Sequence, residues 1–201
     1  MARYATVSVA TAIRDEALGD SPATMQPSLI SRLDHRDRAL FLRVVISAST
    51  PRSSATLWRF LTHIGGFWAS VSAVFAPMLL SGGTPASQMI AFQAAVALLL
   101  SHLIVQLVKR RVIRERPCTQ LTLDSLVVVP DKFSFPSGHS CAIMSVAFVH
   151  AVAYPWLAWP LFLLSTMVGI SRVRLGVHYP GDVVAGQAIA IATGVLVMGL
   201  R

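Results

Sequence analysis

The chain has 201 residues, of which 54% are hydrophobic and 13% charged, and its net charge at pH 7 is +8. Soluble domains carry about 25% charged residues, so the composition excludes an ordinary soluble domain and predicts one integral membrane domain. The basic residues lie between apolar segments, where lipid headgroups or phosphate are the nearest anions, so we expect no nucleic-acid partner.

The N-terminal region divides into two parts. Residues 1–28 are polar and lack an apolar core, which predicts a flexible tail and not a cleavable signal. Residues 29–54 have apolar side chains at near-helical spacing, interleaved with Arg32, Arg36, Arg38 and Arg43. This pattern predicts an amphipathic helix on the membrane surface, followed by a linker. The alternative is a helical arm packed on the protein, which would have a similar apolar face.

Residues 55–201 form the predicted membrane domain, an all-α bundle. A spanning helix needs about 20 apolar residues. Five stretches meet or approach this length: about 57–80, 86–108, 138–153, 155–171 and 182–200. Prolines predict a tight re-entry between the third and fourth spans, and SGGTP at 81–85 predicts the turn after the first. Internal repeats or broken spans would favour a transporter, and the sequence indicates neither.

The five predicted spans distribute the basic residues unequally between the two faces of the membrane. Of the 17 Lys and Arg residues, only Arg201 falls on the face of the 81–85 turn and the C-terminus. Positive charge favours the cytoplasm, so the basic face is expected to be cytoplasmic. If residues 31–50 also crossed the membrane, the N-terminal tail would change sides and the bias would weaken.

Three polar clusters lie at span ends on the basic face. They read KRRVIRERP at 109–117, PSGH at 136–139 and SRVRLGVHYPGD at 171–182. A bundle brings helix ends on one face together, so the clusters should meet. Each alone has a simpler interpretation, such as a snorkelling arginine or an ordinary turn. Ionisable groups clustered at the helix ends of a membrane protein are, however, usually functional.

The cations in these clusters suit a tetrahedral oxyanion. Lys109, Arg116 and Arg172 offer ammonium and guanidinium donors, which match phosphate oxygens. Ser137 and Gly138 precede a helix start, and their backbone N–H groups would add an anion nest. The sequence therefore predicts a phosphate site.

The two histidines of the clusters suggest a division of catalytic roles. His178 has Asp182 four residues later, and a carboxylate on the far nitrogen would fix the tautomer of a nucleophilic imidazole. His139 has no nearby acid in sequence and suits a general acid and base. No cluster of acidic residues or cysteines has metal-ligand spacing, so we expect neither metal nor cofactor.

These residues resemble the signature of the type 2 phosphatidic acid phosphatase (PAP2) superfamily: Lys, six residues, Arg-Pro; Pro-Ser-Gly-His; and Ser-Arg, five residues, His, three residues, Asp. The resemblance covers residues 55–200 and implies metal-independent phosphoester hydrolysis through a phospho-histidine. It assigns phosphate binding to Lys109, Arg116, Arg172, Ser137 and Gly138, acid catalysis to His139, nucleophilic attack to His178 and its orientation to Asp182.

The expected substrate is a lipid phosphate or diphosphate, such as phosphatidate, phosphatidylglycerophosphate or undecaprenyl diphosphate, in a bacterial inner membrane. Loop 118–135 is the predicted headgroup selector, with Asp124, Asp131 and Lys132 as its polar candidates. Two alternatives stay open: a phosphotransferase that uses an alcohol in place of water, and a non-catalytic lipid-binding protein. The sequence does not indicate an oligomeric state.

Overall fold

A computed structural model describes residues 29–46, 52–121, 127 and 131–199 of the chain, and within them every regular element is a helix. The α-helices are α1 Leu29–Val44, α2 Arg52–Ile64, α3 Phe67–Leu80, α4 Pro85–Arg111, α5 Pro117–Gln120, α6 Gly138–Ala153, α7 Ala158–Arg174 and α8 Pro180–Gly199. For these residues the all-α prediction is confirmed. The predicted tail, 1–28, lies outside the described residues.

Several helices have the length and composition of membrane spans. Among the described residues, α4, α8 and the segment Pro155–Arg174 are each long and apolar enough to cross a bilayer, and α2 with α3 passes the same test as a bent pair. Helix α6 is apolar but has only 16 residues, which corresponds to about 24 Å. The chain is therefore an integral membrane protein, as predicted.

The first predicted span, 57–80, is not one continuous helix. It divides into α2 and α3, which meet at 57°. The break includes Gly65, where a Cβ atom would come within 2.6 Å of Val168 Cγ1 and 3.1 Å of the His139 carbonyl oxygen. The chain turns where only glycine permits this contact, and α2 then packs along α7. The expectation of unbroken spans was therefore wrong at this position.

The starts of α6 and α8 approach closely at one end of the bundle. A Cβ atom at Gly186 would lie 2.5 Å from the Ser137 carbonyl oxygen, so the two backbones are nearly in contact. The Ser137 N–H also donates to the Asp182 carbonyl oxygen at 2.9 Å. This packing brings together two of the three sequence clusters.

Helix α1 lies at the same end of the bundle, against α7 and α8. Phe41 is fully buried, and its ring meets the ring of Tyr179 edge to face, with 5.4 Å between centroids. The predicted helix is present and packs on the protein through this contact. Its placement on a membrane surface stays a prediction.

Candidate active site

Charged and polar side chains from several elements meet at the end of the bundle where α6 and α8 begin. The predicted site residues lie at helix ends or in adjoining loops: Lys109 on α4, Arg116 before α5, Ser137, Gly138 and His139 at the start of α6, Arg172 on α7, His178 before α8 and Asp182 on α8. The lysine, the two arginines, the aspartate and His178 are at most 7% exposed, whereas His139 is partly exposed. Charges buried this deeply require partners.

The imidazole of His178 lies between a cation and a carboxylate. Its Nε2 atom is 3.2 Å from an Nη1 donor of Arg116, and its Nδ1 atom is 3.5 Å from Asp182 Oδ2. A guanidinium can only donate, so Nε2 accepts and the proton of the neutral ring belongs on Nδ1, facing Asp182. This tautomer leaves the Nε2 lone pair directed away from the carboxylate.

Burial keeps the His178 ring neutral. The ring is 1% exposed, and burial, assisted by the charges of Arg172 and Arg116, lowers its pKa to about 4 against the opposing effect of Asp182. An unprotonated imidazole at neutral pH is the form that a nucleophile requires.

Asp182 accepts hydrogen bonds from three donors in addition to its contact with His178. Its Oδ1 atom accepts from Arg114 at 2.6 Å, and Oδ2 accepts from the Tyr179 N–H at 2.8 Å and from the Ser134 hydroxyl. The carboxylate is fully buried. These donors fix the oxygen that faces His178.

Arg114 connects Asp182 to the N-terminal helix. Its Nη2 atom is 2.8 Å from Asp34 and 2.7 Å from Asp37, both on α1, and its guanidinium stacks over the Tyr179 ring at 4.2 Å. Sequence reasoning missed this residue. It is one of four arginines in the 109–117 cluster, and nothing local distinguishes it.

Two of the predicted phosphate-binding cations share one carboxylate. Asp131 Oδ2 is 2.7 Å from Lys109 Nζ, and Oδ1 is 2.6 Å from Arg116 Nη2. Arg116 Nε also donates to the Asp131 carbonyl oxygen at 3.0 Å. Burial alone would raise the pKa of Asp131, but the hydrogen bonds from both cations outweigh it and lower the pKa, so the carboxylate is ionised.

Arg172 has far fewer partners than the other cations. Its Nη1 atom donates to Thr62 at 2.7 Å, while its buried Nε atom has no hydrogen-bond partner in the described part of the chain. The side chain is 3% exposed and is repelled by the charge of Arg116. Sequence reasoning missed Thr62, because only the break at the end of α2 brings it here.

The start of α6 differs in part from the expected anion nest. The Ser137 N–H is already engaged by the Asp182 carbonyl oxygen, so it cannot bind an anion, whereas its hydroxyl lies 3.0 Å from the Ser140 hydroxyl. At Gly138 a Cβ atom would meet nothing within 4 Å, so there is open space beside the first turn of the helix. His139 follows, close enough for the charges of Arg172, Arg116 and Lys109 to act on its ring.

The arrangement is suited to a multiply charged tetrahedral anion. Lys109, Arg116 and Arg172 face one another with a single carboxylate, that of Asp131, shared by two of them. The neutral imidazole of His178 contacts one of these cations, Arg116. Fixed donors that exceed the local negative charge can stabilise the charge on a phosphoryl group.

Comparison with known proteins gives the family of the chain and a similar fold. The family profile of the PAP2 superfamily matches residues 90–201, more than half of the chain. The solved structure of the transmembrane PAP2 type phosphatidylglycerolphosphate phosphatase from Bacillus subtilis superposes with a TM-score of 0.65, covering 94% of this chain and 90% of that one. At 22% identity, this likeness concerns the fold.

Two curated relatives are similar in sequence over part of their length. The decaprenylphosphoryl-5-phosphoribose phosphatase of Mycobacterium tuberculosis is 36% identical over 104 residues, which are 52% of this chain and 57% of the relative. The undecaprenyl-diphosphatase BcrC of Bacillus subtilis is 31% identical over 81 residues, 40% of this chain and 42% of the relative. The chain thus spans about half the length of the relatives it matches.

Proposed function

Because the chain belongs to the PAP2 superfamily, we propose that it is a membrane lipid phosphatase that works through a phospho-histidine at His178. The observation that carries the proposal is a buried neutral imidazole, with Asp182 Oδ2 3.5 Å from its Nδ1 atom, beside three cations, two of which share one carboxylate. The imidazole can attack phosphorus, and the cations can hold phosphate oxygens.

In the proposed first half-reaction, Lys109, Arg116 and Arg172 hold the phosphate oxygens, with the Gly138 N–H and the Ser137 hydroxyl as further donors. The lone pair of His178 Nε2, released from its hydrogen bond with Arg116, forms a bond to phosphorus while the bond from phosphorus to the leaving oxygen breaks. Asp182 stabilises the cationic phospho-histidine through the Nδ1 proton.

His139 is proposed to handle the protons. The negative charge of the bound phosphate offsets the nearby charges of Arg172, Arg116 and Lys109 and favours a protonated His139. The imidazolium donates its proton to the leaving oxygen, which departs as an alcohol or, from a diphosphate, as a lipid monophosphate. The neutral ring then takes a proton from water, whose oxygen bonds to phosphorus as the bond to Nε2 breaks. Inorganic phosphate is released, and both histidines return to their starting states.

The proposed substrate is a lipid phosphate, and polyprenyl-linked phosphates are the first class to examine. The names of both curated relatives refer to a long prenyl chain that carries a phosphate or diphosphate. The apolar outer faces of the spans would accommodate such a chain beside the site, because they already contact lipid.

We propose a bacterial inner membrane as the location, with the site on the cytoplasmic face. When the chain is folded through the predicted spans, 16 of the 17 Lys and Arg residues, all except Arg201, fall towards that face. Lys132, which is exposed beside the site, can report this as Lys132→Cys in a Cys118→Ser background. An impermeant maleimide should label inverted vesicles and not spheroplasts. The reverse pattern would place the site outside.

The test of function is phosphate release by detergent-purified protein with EDTA present. A prenyl diphosphate, a prenyl phosphate, phosphatidate and phosphatidylglycerophosphate are offered separately, with and without an added alcohol acceptor. Turnover that resists EDTA and disappears in His178→Ala supports the proposal. Phosphate transfer only to the alcohol would indicate a phosphotransferase, and folded protein without turnover on any lipid would contradict both.

A further inference from the structure

Asp131 lies where the substrate phosphate is expected to bind. Its two carboxylate oxygens contact Lys109 at 2.7 Å and Arg116 at 2.6 Å, one oxygen for each cation. The phosphate of the substrate would require the same two cations. Asp131 is also charge-coupled to Arg172, the third. Its carboxylate thus stands in for one part of a phosphate dianion.

The donors of Arg116 show that a phosphate cannot simply be added to this arrangement. A guanidinium has five N–H donors. Arg116 uses Nε for the Asp131 carbonyl oxygen, Nη2 for its carboxylate, and Nη1 for both the Val177 carbonyl oxygen and His178 Nε2. A bidentate grip on phosphate needs two adjacent donors, and only one N–H of the five is left.

The exposure of the three side chains indicates how the exchange can occur. The Lys109 and Arg116 side chains are 9% and 3% exposed, whereas the Asp131 side chain is 39% exposed. The carboxylate therefore lies on the solvent side of two buried cations. Once a phosphate takes over both cations, the carboxylate can turn into water, whereas the buried cations cannot.

Resting on the function proposed above, we infer that the Asp131 carboxylate is a resident anion of the phosphate pocket, which the substrate phosphate must displace. Asp131 is then a determinant of affinity. It neutralises two buried cations between turnovers, weakens the binding of inorganic phosphate, and so promotes product release. It also disfavours weakly charged ligands, which cannot compete with a carboxylate for both cations.

Asp131→Asn removes the competing charge and provides the test. The inhibition constant of inorganic phosphate should fall by roughly tenfold or more, since a hydrogen bond to a charged group contributes about 1.5–3 kcal/mol. KM for the lipid should fall as well, and kcat should fall because phosphate leaves more slowly. An unchanged or higher inhibition constant and KM would overturn the role of Asp131.

Two further variants exclude simpler explanations. Glu115→Gln makes the same change in net charge. Glu115 is near Asp131 in the structure, because its backbone pairs with that of Phe133, but its side chain is exposed. This substitution should leave the phosphate inhibition constant within about twofold, as for ordinary surface substitutions. Asp131→Glu keeps the charge and should also resemble the wild type. Equal effects of Asp131→Asn and Glu115→Gln would overturn the inference.

A binding measurement keeps the test informative if Asp131→Asn is inactive. Phosphate should raise the thermal midpoint of the variant more than that of the wild type, because a tighter ligand stabilises the folded state more. A wild-type protein that neither releases phosphate nor gains stability from it would overturn the proposed function itself. Wild-type turnover with no phosphate difference at Asp131→Asn would overturn only the resident anion.

Discussion

Arg114 and Arg172 are both arginines at the polar end of the bundle, but their surroundings differ in charge. Arg114 contacts three carboxylates at 2.6–2.8 Å and stacks on an aromatic ring. Arg172 is more deeply buried, and the one hydrogen-bond partner of its side chain within the described residues is the hydroxyl of Thr62.

Arg114 is therefore a structural cation, whereas Arg172 is placed to bind an anionic ligand. Three carboxylates surround the single positive charge of Arg114, so this charge requires no anionic ligand. Arg114 instead joins α1 to the catalytic end of α8. Arg172 is a buried charge with no carboxylate at ion-pair distance among the described residues, which lowers stability unless a ligand compensates. Such a cost is typical of functional sites. The two arginines should therefore respond oppositely to the same substitution.

Removing Arg172 should have the largest effect on activity. Arg172→Gln is expected to lower kcat/KM on the order of 100- to 1000-fold, as for the loss of one donor to a transition-state anion. Its thermal midpoint without phosphate should equal or exceed that of the wild type, because an unpaired buried charge has been removed. Steady-state kinetics and a thermal melt measure both quantities.

Arg174→Gln is the matched control for this experiment. Arg174 lies two residues later on α7 and stacks over the Trp58 ring at 4.8 Å. The substitution changes the charge equally and should leave kcat/KM within about twofold. If both variants lost the same activity, general surface charge and not the pocket would explain the effect.

Arg114→Gln should show the opposite pattern. It leaves Asp182 buried without its guanidinium partner, so the free energy of unfolding should fall by on the order of 3 kcal/mol, as when a buried ion pair loses one member. The loss of kcat/KM below the melting temperature should be smaller than for Arg172→Gln. Denaturation in detergent measures the first quantity, with the exposed Arg111→Gln as control. A stable but inactive Arg114→Gln would contradict the distinction.

The buried neutral His178 should make the free energy of unfolding depend on pH, which is a smaller effect than those above. Its pKa is about 4 when folded and near 6.5 in an unfolded chain, so the unfolded state takes up the proton first as pH falls. The stability associated with a neutral His178 is fully present above about pH 6.5 and is lost as the pH falls towards 4. From this group alone, the free energy of unfolding should fall by about 2 kcal/mol between pH 7 and pH 5. His178→Gln should lack this component in melts at both pH values. Parallel pH dependence in the two proteins would contradict a neutral His178.

The sequence predicted the parts of the site that local patterns determine. Lys109 and His139 lie at the ends of apolar runs, and such ends meet on one face of any bundle, so their convergence followed from hydropathy. The spacing of four residues between His178 and Asp182 likewise predicted a pair at the mouth of a helix. These are short-range features of the chain.

The remaining parts depend on contacts that no local pattern encodes. Hydropathy averaged along the chain does not reveal the break at Gly65, where the backbone lies close to other helices. Asp131 was predicted as a headgroup selector, but its contacts with cations 15 and 22 residues away depend on how the loop folds back. The Ser137 N–H was expected to bind an anion, and only the tertiary packing shows that α8 uses it.

The most direct test of the central claim is to trap the phospho-histidine. Protein is mixed briefly with a lipid substrate whose reacting phosphate is radiolabelled, quenched in alkali and digested. If His178 is the nucleophile, the label should be stable in alkali and labile in acid, should lie on the peptide that contains His178, and should be absent in His178→Ala. Rapid turnover without any covalent label, or the same label in His178→Ala, would show that His178 is not the nucleophile.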